Sequence, residues 1–317
     1  MIKPAFLKAY QHGPLLSLQE VEYRKWVLTF FAFQLLDDKR KGDVTVAALF
    51  PDGAKVMTAE VIAKDNGRIA GLEELSLFFE TQEIAITPKT KDGASIKKGS
   101  VVAILTGRVD TLLENERLAL DFLGRMSGIA TKTAECVKIA KALGEVGIAA
   151  TRKTLWGLLD KKAVYLGGGL THRLGLWQSI MIKDNHLTAL SNSGEKEPIV
   201  AALERAELSA PSNSIPLIEI EVESLSDANK AIEAFQKMRG VNAAHAILLD
   251  NFKPDQIKQV VKSLSKVNGR DKIILEASGG ITESNLASFA STDVDVISMG
   301  SLTHSSRALD FSEHILK

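Results

Sequence analysis

Near residue 147 the chain changes its hydrophobic rhythm, and the two sides of that point predict different architectures. On the N-terminal side helical spacing leads. Apolar positions at Leu16, Val21, Trp26, Phe30 and Phe33 predict an amphipathic helix over Leu16–Leu36, used for core packing or for a dimer interface. Lys55–Ala63 alternates as a strand does and runs into Asp65-Asn66-Gly67, a turn signal. A short helix is expected over Gly71–Glu80, then short strands at Ile84–Ile86 and Ser100–Val109. A long helical run follows from Thr111 to Leu143, in which Ser127-Gly128 predicts a break. This part reads as mixed α+β.

Beyond Gly147 short apolar runs alternate with helical segments. The runs are Gly147–Ala150, Ser179–Ile182, Leu217–Ile220, Ala246–Leu249, Ile273–Leu275 and Val294–Ser298. Such alternation predicts successive βα units around a parallel sheet. The first reactive or glycine residue at or just past each run is Arg152, Lys183, Glu221, Asp250, Ser278 and Gly300. Their spacing of about 22 to 38 residues is close to one strand-helix unit. In an α/β barrel all such positions gather on one rim. An open doubly wound sheet also collects strand ends at one edge, but it usually carries an early glycine-rich phosphate fingerprint, and this chain has none. The barrel is the favoured class.

Composition narrows the function. With 317 residues there is room for two domains or a barrel with an added lobe. Lys plus Arg and Asp plus Glu both number 39, so no general basic field exists to hold nucleic acid, and any anion site must be local. The single cysteine, Cys136, fits a buried small hydrophobe and a reduced, cytosolic setting. The N-terminal MIKPAFLKAY lacks a secretory apolar core. The most apolar stretch, Trp26–Leu36, has 11 residues, short of the roughly 20 that a membrane span needs. A cytoplasmic protein with neither nucleic acid nor membrane as partner is expected.

A local anion site is readable in Thr151–His186, TRKTLWGLLDKKAVYLGGGLTHRLGLWQSIMIKDNH. It sets Arg152, Lys153, His172, Arg173, Lys183 and His186 among glycines, which let backbone N–H groups approach anionic oxygens. Asn185 and His186 either brace the loop or reach the ligand. Three histidines, His172, His186 and His304, match no usual zinc spacing. Glu116 beside Arg117 reads as a helix-surface charge. On the rim, Glu221 and Asp250 add carboxylates, and Ser278-Gly279-Gly280 and Gly300-Ser301 add glycine turns suited to phosphate. Carboxylates between cations and phosphate loops suit Mg²⁺ and sugar hydroxyls. The implied ligands are a phosphorylated sugar and a second, carboxylate-bearing anion.

Several ordered motifs sharpen this. They are GDVT at Gly42–Thr45, ERLALDFLGRMSGIAT at Glu116–Thr131, TRKT at Thr151–Thr154, GGGLTHRLGL from Gly167, IKDNH from Ile182, EIEVES from Glu219, LLDN from Leu248, EASGGI from Glu276 and MGSLTHS from Met299. They resemble those of the quinolinate phosphoribosyltransferases, which make nicotinate mononucleotide, pyrophosphate and CO₂ for NAD biosynthesis. The resemblance spans nearly the whole chain. It implies an incomplete α/β barrel of parallel strands with an N-terminal α+β open-sandwich domain: residues 1–128 the N-terminal domain, 129–303 the barrel, 304–317 a tail packing on the N-terminal domain. It also implies Mg²⁺, and a homodimer or a hexamer built as a trimer of dimers, with composite sites.

By the same resemblance Arg117, Arg152, Lys153, His172, Arg173 and Lys183 surround quinolinate, with Arg117 reaching the neighbouring subunit's site. Glu221, Asp250, Ser278, Gly279, Gly280, Gly300, Ser301 and His304 surround phosphoribosyl pyrophosphate. Lys153, Lys183, Glu221 and Asp250 are the expected catalytic groups, and Glu221 and Asp250 the metal-binding ones, directly or through substrate. Family members usually have proline and arginine where this chain has Trp156 and Leu159. They usually have aspartate at Ala150 and Gln178, and asparagine at Thr171 and Asp121. The enzymatic alternative is a relative acting on another acid, such as nicotinate or a molybdenum-associated ligand; the intact TRKT and IKDNH segments favour quinolinate, since a monocarboxylate would need fewer cations. A non-catalytic homologue would not need both carboxylates and both phosphate loops.

Overall fold

The computed structural model describes residues 8–50, 55–210, 215–238, 243–267 and 271–317. Its strands are β1 (Val56–Ala63), β2 (Gly67–Arg68), β3 (Ala85–Pro88), β4 (Ser95–Ile96), β5 (Val101–Arg108), β6 (Gly147–Ala149), β7 (Ile180–Ile182), β8 (Leu217–Val222), β9 (Ala244–Asp250), β10 (Ile273–Ser278), β11 (Val296–Ser298) and β12 (Phe311–Ile315). They belong to two compact units. Among the described residues, one holds 8–12, Glu135–Thr154 and Gly169–His304; the other holds Gly13–Ala134, Leu155–Gly168 and Ser305–Lys317. The linear boundaries at 128 and 303 therefore miss two excursions. Residues 8–12 join the later strands, and 155–168 join the earlier ones.

The first unit is a parallel sheet in the order β6-β11-β10-β9-β8-β7. Its strands are apolar on both faces, as expected where helices cover a parallel sheet. Leu217, Ala246, Ile274 and Val296 pack with Ala149, Leu170 and Tyr10 in one buried cluster. The register keeps strand ends level, with Val222 opposite Leu249, Asp250 opposite Ser278, and Ala277 opposite Ile297. Beyond β6 the chain at Leu170 adds a single parallel bridge to Ala149, and His172 N donates to Tyr10 O at 2.8 Å. With β6 and β7 at the two ends of the hydrogen-bonded order, the barrel is incomplete.

The second unit is built on an antiparallel sheet, β12-β1-β5-β3. Its helix Val21–Asp38 begins five residues later than the pattern predicted and presents a different face. Tyr23, Val27 and Phe31 are buried, whereas Trp26 and Phe33 are 42% and 67% exposed. Two contacts set that phase: Phe31 stacks on Phe78 with ring centroids 4.3 Å apart, and Tyr23 Oη donates to Glu74 at 2.8 Å. The expected break at Ser127-Gly128 is absent, and one helix runs unbroken over Val109–Leu143. Gly128 instead gives backbone room. A Cβ there would lie 2.0 Å from Arg307 O. Ser127 Oγ meanwhile accepts from Ala70 N at 3.1 Å. Among the described residues no helix is long and apolar enough to cross a membrane.

Candidate active site

The cations assemble first at the ends of β6 and β7. Lys153 N donates to Thr151 Oγ1 at 3.1 Å, and Thr303 Oγ1 donates to Lys153 O at 2.7 Å, so the turn after β6 is tied to the helix after β11. Arg152 and Lys153 are exposed there. Arg173 is only 6% exposed. One of its terminal nitrogens donates to Ser179 O at 3.3 Å, and its Nε has no hydrogen-bond partner among the described residues. Burial and the neighbouring charge of Arg152 both lower its pKa. Two guanidinium groups repelling each other, one of them half-satisfied, make a place that an anion would stabilise.

The carboxylates stand on the next strands. Glu221, on β8, pairs with Lys183, just past β7. Asp250 ends β9, where Asn251 Nδ2 donates to its Oδ2 at 2.7 Å. Asn251 has a φ of 56°, and its N–H donates to Ser278 O at 3.0 Å. Gly279 has a φ of 96°, and a Cβ on it would lie 2.4 Å from Asn251 Oδ1. The Asp250 and Ser278 turns are thereby interlocked. Gly280 follows with a φ of 60°, a conformation glycine adopts without strain. At the end of β11, a Cβ on Gly300 would meet His304 Nε2 at 3.0 Å and Lys153 Cδ at 3.2 Å. Ser301 is buried and donates to Ile281 O at 3.2 Å, so its hydroxyl braces the preceding turn.

His172 lies deeper than the exposed rim. It is 3% exposed, has a φ of 52°, and its Nε2 lies 3.2 Å from Glu219 Oε2 and 3.5 Å from Glu276 Oε2. Tyr10 Oη donates to Glu219 Oε1 at 3.3 Å. Burial and the charge of Glu276 raise the Glu219 carboxyl to about 7. Burial would also raise Glu276, but the adjoining imidazole outweighs it and holds that carboxyl low. Burial would lower His172, yet the two carboxylates raise it. Sequence reasoning passed over Glu219, Glu276 and Tyr10. The signal was present for two of them: a glutamate inside an apolar strand run is costly to bury and needs a partner.

His186 braces the start of helix Asp184–Asn192, its Nδ1 accepting from Lys183 N at 2.9 Å. Arg117 belongs to the other unit, where it is exposed and pairs with Asp121 at 3.2 Å. The unusual residues have local partners as well. Thr171 Oγ1 accepts from His12 N at 2.8 Å, and Gln178 Oε1 accepts from Leu174 N at 2.7 Å. In the second unit Leu159 is fully buried. Trp156 there stacks parallel to Phe122, under the guanidinium of Arg125, which itself forms a two-pronged bond to Asp160.

A parallel barrel with cations, carboxylates and glycine turns at its strand ends defines an enzyme scaffold for small anionic substrates. Comparison with known proteins names the family. Residues 43–127 match the model for the quinolinate phosphoribosyl transferase N-terminal domain, and residues 129–313 that for the C-terminal domain. The chain belongs to the quinolinate phosphoribosyl transferase family. It is 40% identical over 279 residues to a probable nicotinate-nucleotide pyrophosphorylase (carboxylating) of Archaeoglobus fulgidus, covering 87% of this chain and 99% of that one. The human nicotinate-nucleotide pyrophosphorylase (carboxylating) is 35% identical over 268 residues, 84% of each chain. The nicotinate-nucleotide pyrophosphorylase structure from Francisella tularensis superposes with a TM-score of 0.78 at 29% identity, covering 92% of this chain and 96% of the other.

Proposed function

We propose that the protein is a pentosyltransferase joining phosphoribosyl pyrophosphate to quinolinate with loss of CO₂, giving nicotinate mononucleotide and pyrophosphate. Family membership supports this, and one observation carries it to the site: Arg173, buried beside Arg152 with an Nε that has no hydrogen-bond partner among the described residues. Adjacent carboxylates on one ring would satisfy that donor and relieve the repulsion of the two guanidinium groups. Lys153 and Lys183 stand at the ends of the same two strands, and His172 lies next to Arg173 in the chain.

In this reading the acid is held so that its ring nitrogen meets the anomeric carbon while pyrophosphate leaves. The glycine turns at Gly279-Gly280 and Gly300, with Ser278, Ser301 and His304, cradle phosphate. Glu221 or Asp250 steadies the positive charge that develops on the sugar. Glycosylation leaves the ring nitrogen positive, and the adjacent carboxylate departs as CO₂ into that electron sink. Lys153 or Lys183 anchors this carboxylate or returns a proton to the carbon it leaves.

Glu221 and Asp250 stand at neighbouring strand ends and offer oxygen donors, which suits Mg²⁺. Bound there with substrate oxygens, the ion would neutralise charge on the leaving pyrophosphate. The same reading makes the protein a cytoplasmic homodimer or trimer of dimers with composite sites. Exposed Val21, Phe33 and Leu36 on one helix offer apolar surface for that contact. The test mixes pure protein with quinolinate, phosphoribosyl pyrophosphate and Mg²⁺ and follows mononucleotide and CO₂. Product formation that stops in excess chelator is expected. No product with metal present refutes the reaction, and undiminished product under chelation refutes the metal.

A further inference from the structure

The cluster inside the first unit calls for a role. Glu219 on β8 and Glu276 on β10 are fully buried in otherwise apolar strands, and both converge on His172. The His172 ring packs on Tyr10 with centroids 4.8 Å apart, and its backbone N–H is held by Tyr10 O. The imidazole is gripped on its other side too. Arg173 N donates to His172 Nδ1 at 2.6 Å, which fixes the first atom of the residue whose guanidinium reaches the anion site. His172 keeps a left-handed backbone at φ 52°, an uncommon state for a residue with a Cβ.

Two occupants could hold a histidine between two carboxylates. Ligand atoms of His172, Glu219 and Glu276 all lie within 4.8 Å of one another, which is compact enough for a metal ion. Tautomerism decides between them. A ring nitrogen that accepts an N–H bond has used its lone pair and carries no proton, so the ring proton sits on the other nitrogen. The two carboxylates raise the His172 pKa, but the Arg173 N–H facing Nδ1 at 2.6 Å leaves no room for a proton there, so the ring proton sits on Nε2, which then has no lone pair to give a metal. A proton lies where a cation otherwise would.

We propose that His172 is a positioning residue: its Nε2 edge, set between the Glu219 and Glu276 carboxylates at 3.2 and 3.5 Å, anchors the ring in the barrel by charge, while its Nδ1 holds the Arg173 backbone and aims that guanidinium at the carboxylates of the acid substrate. The proposal rests on the reaction assigned above for its kinetic readout, and on tautomer and metal content for readouts that do not need it.

Three measurements test it. In ¹⁵N-histidine-labelled protein, long-range proton-nitrogen correlation should show His172 protonated at Nε2 and bare at Nδ1, the signal being assigned by its loss in His172→Gln. A proton on Nδ1 overturns the proposal. Titration of the metal-free protein with Co²⁺, followed by visible absorption, should show no stoichiometric site that His172→Gln removes; such a site would make the cluster a metal centre. In kinetics, His172→Gln and Arg173→Ala should each raise KM for the acid about tenfold or more, with a smaller effect on kcat. Because one acts through the other, His172→Gln should add no more than about twofold in the Arg173→Ala background. Full multiplication of the two effects means that His172 acts independently. Should His172→Gln fold poorly, Glu276→Gln replaces it in the same cycle with the same expected result. Wild-type protein inactive on quinolinate would refute the reaction while leaving the tautomer and the metal titration to judge the cluster.

Discussion

Replacing Gly279 by alanine tests whether the two strand-end turns act as one device. The glycine has a φ of 96°, and an added Cβ would stand 2.4 Å from Asn251 Oδ1 and 2.6 Å from Asn251 N. The left-handed backbone alone costs about 1–2 kcal/mol for a residue with a Cβ. Forcing a methyl group into occupied space adds about 1–3 kcal/mol. The relief available is a shift of Asn251, and Asn251 is bonded both to Ser278 O and to the Asp250 carboxylate. Asp250 should therefore move with it. Since about 1.4 kcal/mol is a factor of ten, displacement absorbing most of this energy predicts a loss of about 10- to 1000-fold in kcat/KM for phosphoribosyl pyrophosphate. The KM for quinolinate should change far less. Steady-state kinetics with each substrate varied in turn, alongside a melting curve, gives the answer. A variant with wild-type kinetics and a lowered Tm would show that the strain is taken up elsewhere and that the turns are not coupled through Asn251.

Other expectations concern assembly and stability. If Arg117 completes a neighbouring subunit's site, Arg117→Ala and Lys153→Ala proteins should each be nearly inactive, and subunit exchange between them should restore activity; verified mixed dimers without recovery would count against composite sites. Glu74 is raised from 4.5 to about 7 by burial and Asp92, against the pull of Lys162 and the Tyr23 hydrogen bond. The folded state thus keeps a proton that the unfolded chain releases, so stability falls as pH rises from about 4.5 to 7, by at most about 3 kcal/mol. Glu74→Gln should flatten that decline, and parallel Tm-against-pH curves for the two proteins would contradict it. Gly128→Ala brings a methyl group 2.0 Å from Arg307 O and should lower Tm by about 5–10 °C through about 2–3 kcal/mol of overpacking; an unchanged Tm would mean that the 307–308 backbone yields freely.

The parallel sheet was legible because its strands are short apolar runs that end in chemistry-bearing residues, and Arg152, Lys183, Glu221, Asp250, Ser278 and Gly300 do stand at or just past strand ends. Less visible were features that depend on distant partners. Ser127-Gly128 reads locally as a break, yet Gly128 is there for the carbonyl of Arg307. The helix at Val21–Asp38 has apolar residues all round, so spacing alone did not select Tyr23, Val27 and Phe31 as its buried face. His172 read as one more rim cation, because only the fold brings Glu219 and Glu276 to it from two separate strands.

The way the chain visits its two units has a bearing on its birth. Tyr10 and His12 must wait for Thr171 and His172 before their long-range hydrogen bonds exist, and the outer edge of β1 must wait for β12, which ends at Ile315. A nascent chain emerging from the ribosome can therefore form helices early but cannot finish the parallel sheet before β11, or the antiparallel one before β12, has been made. During synthesis β1 presents an open edge on the side that β12 will take, and such an edge invites pairing with other chains. Deleting β12 should leave that edge open for good and make the protein aggregate.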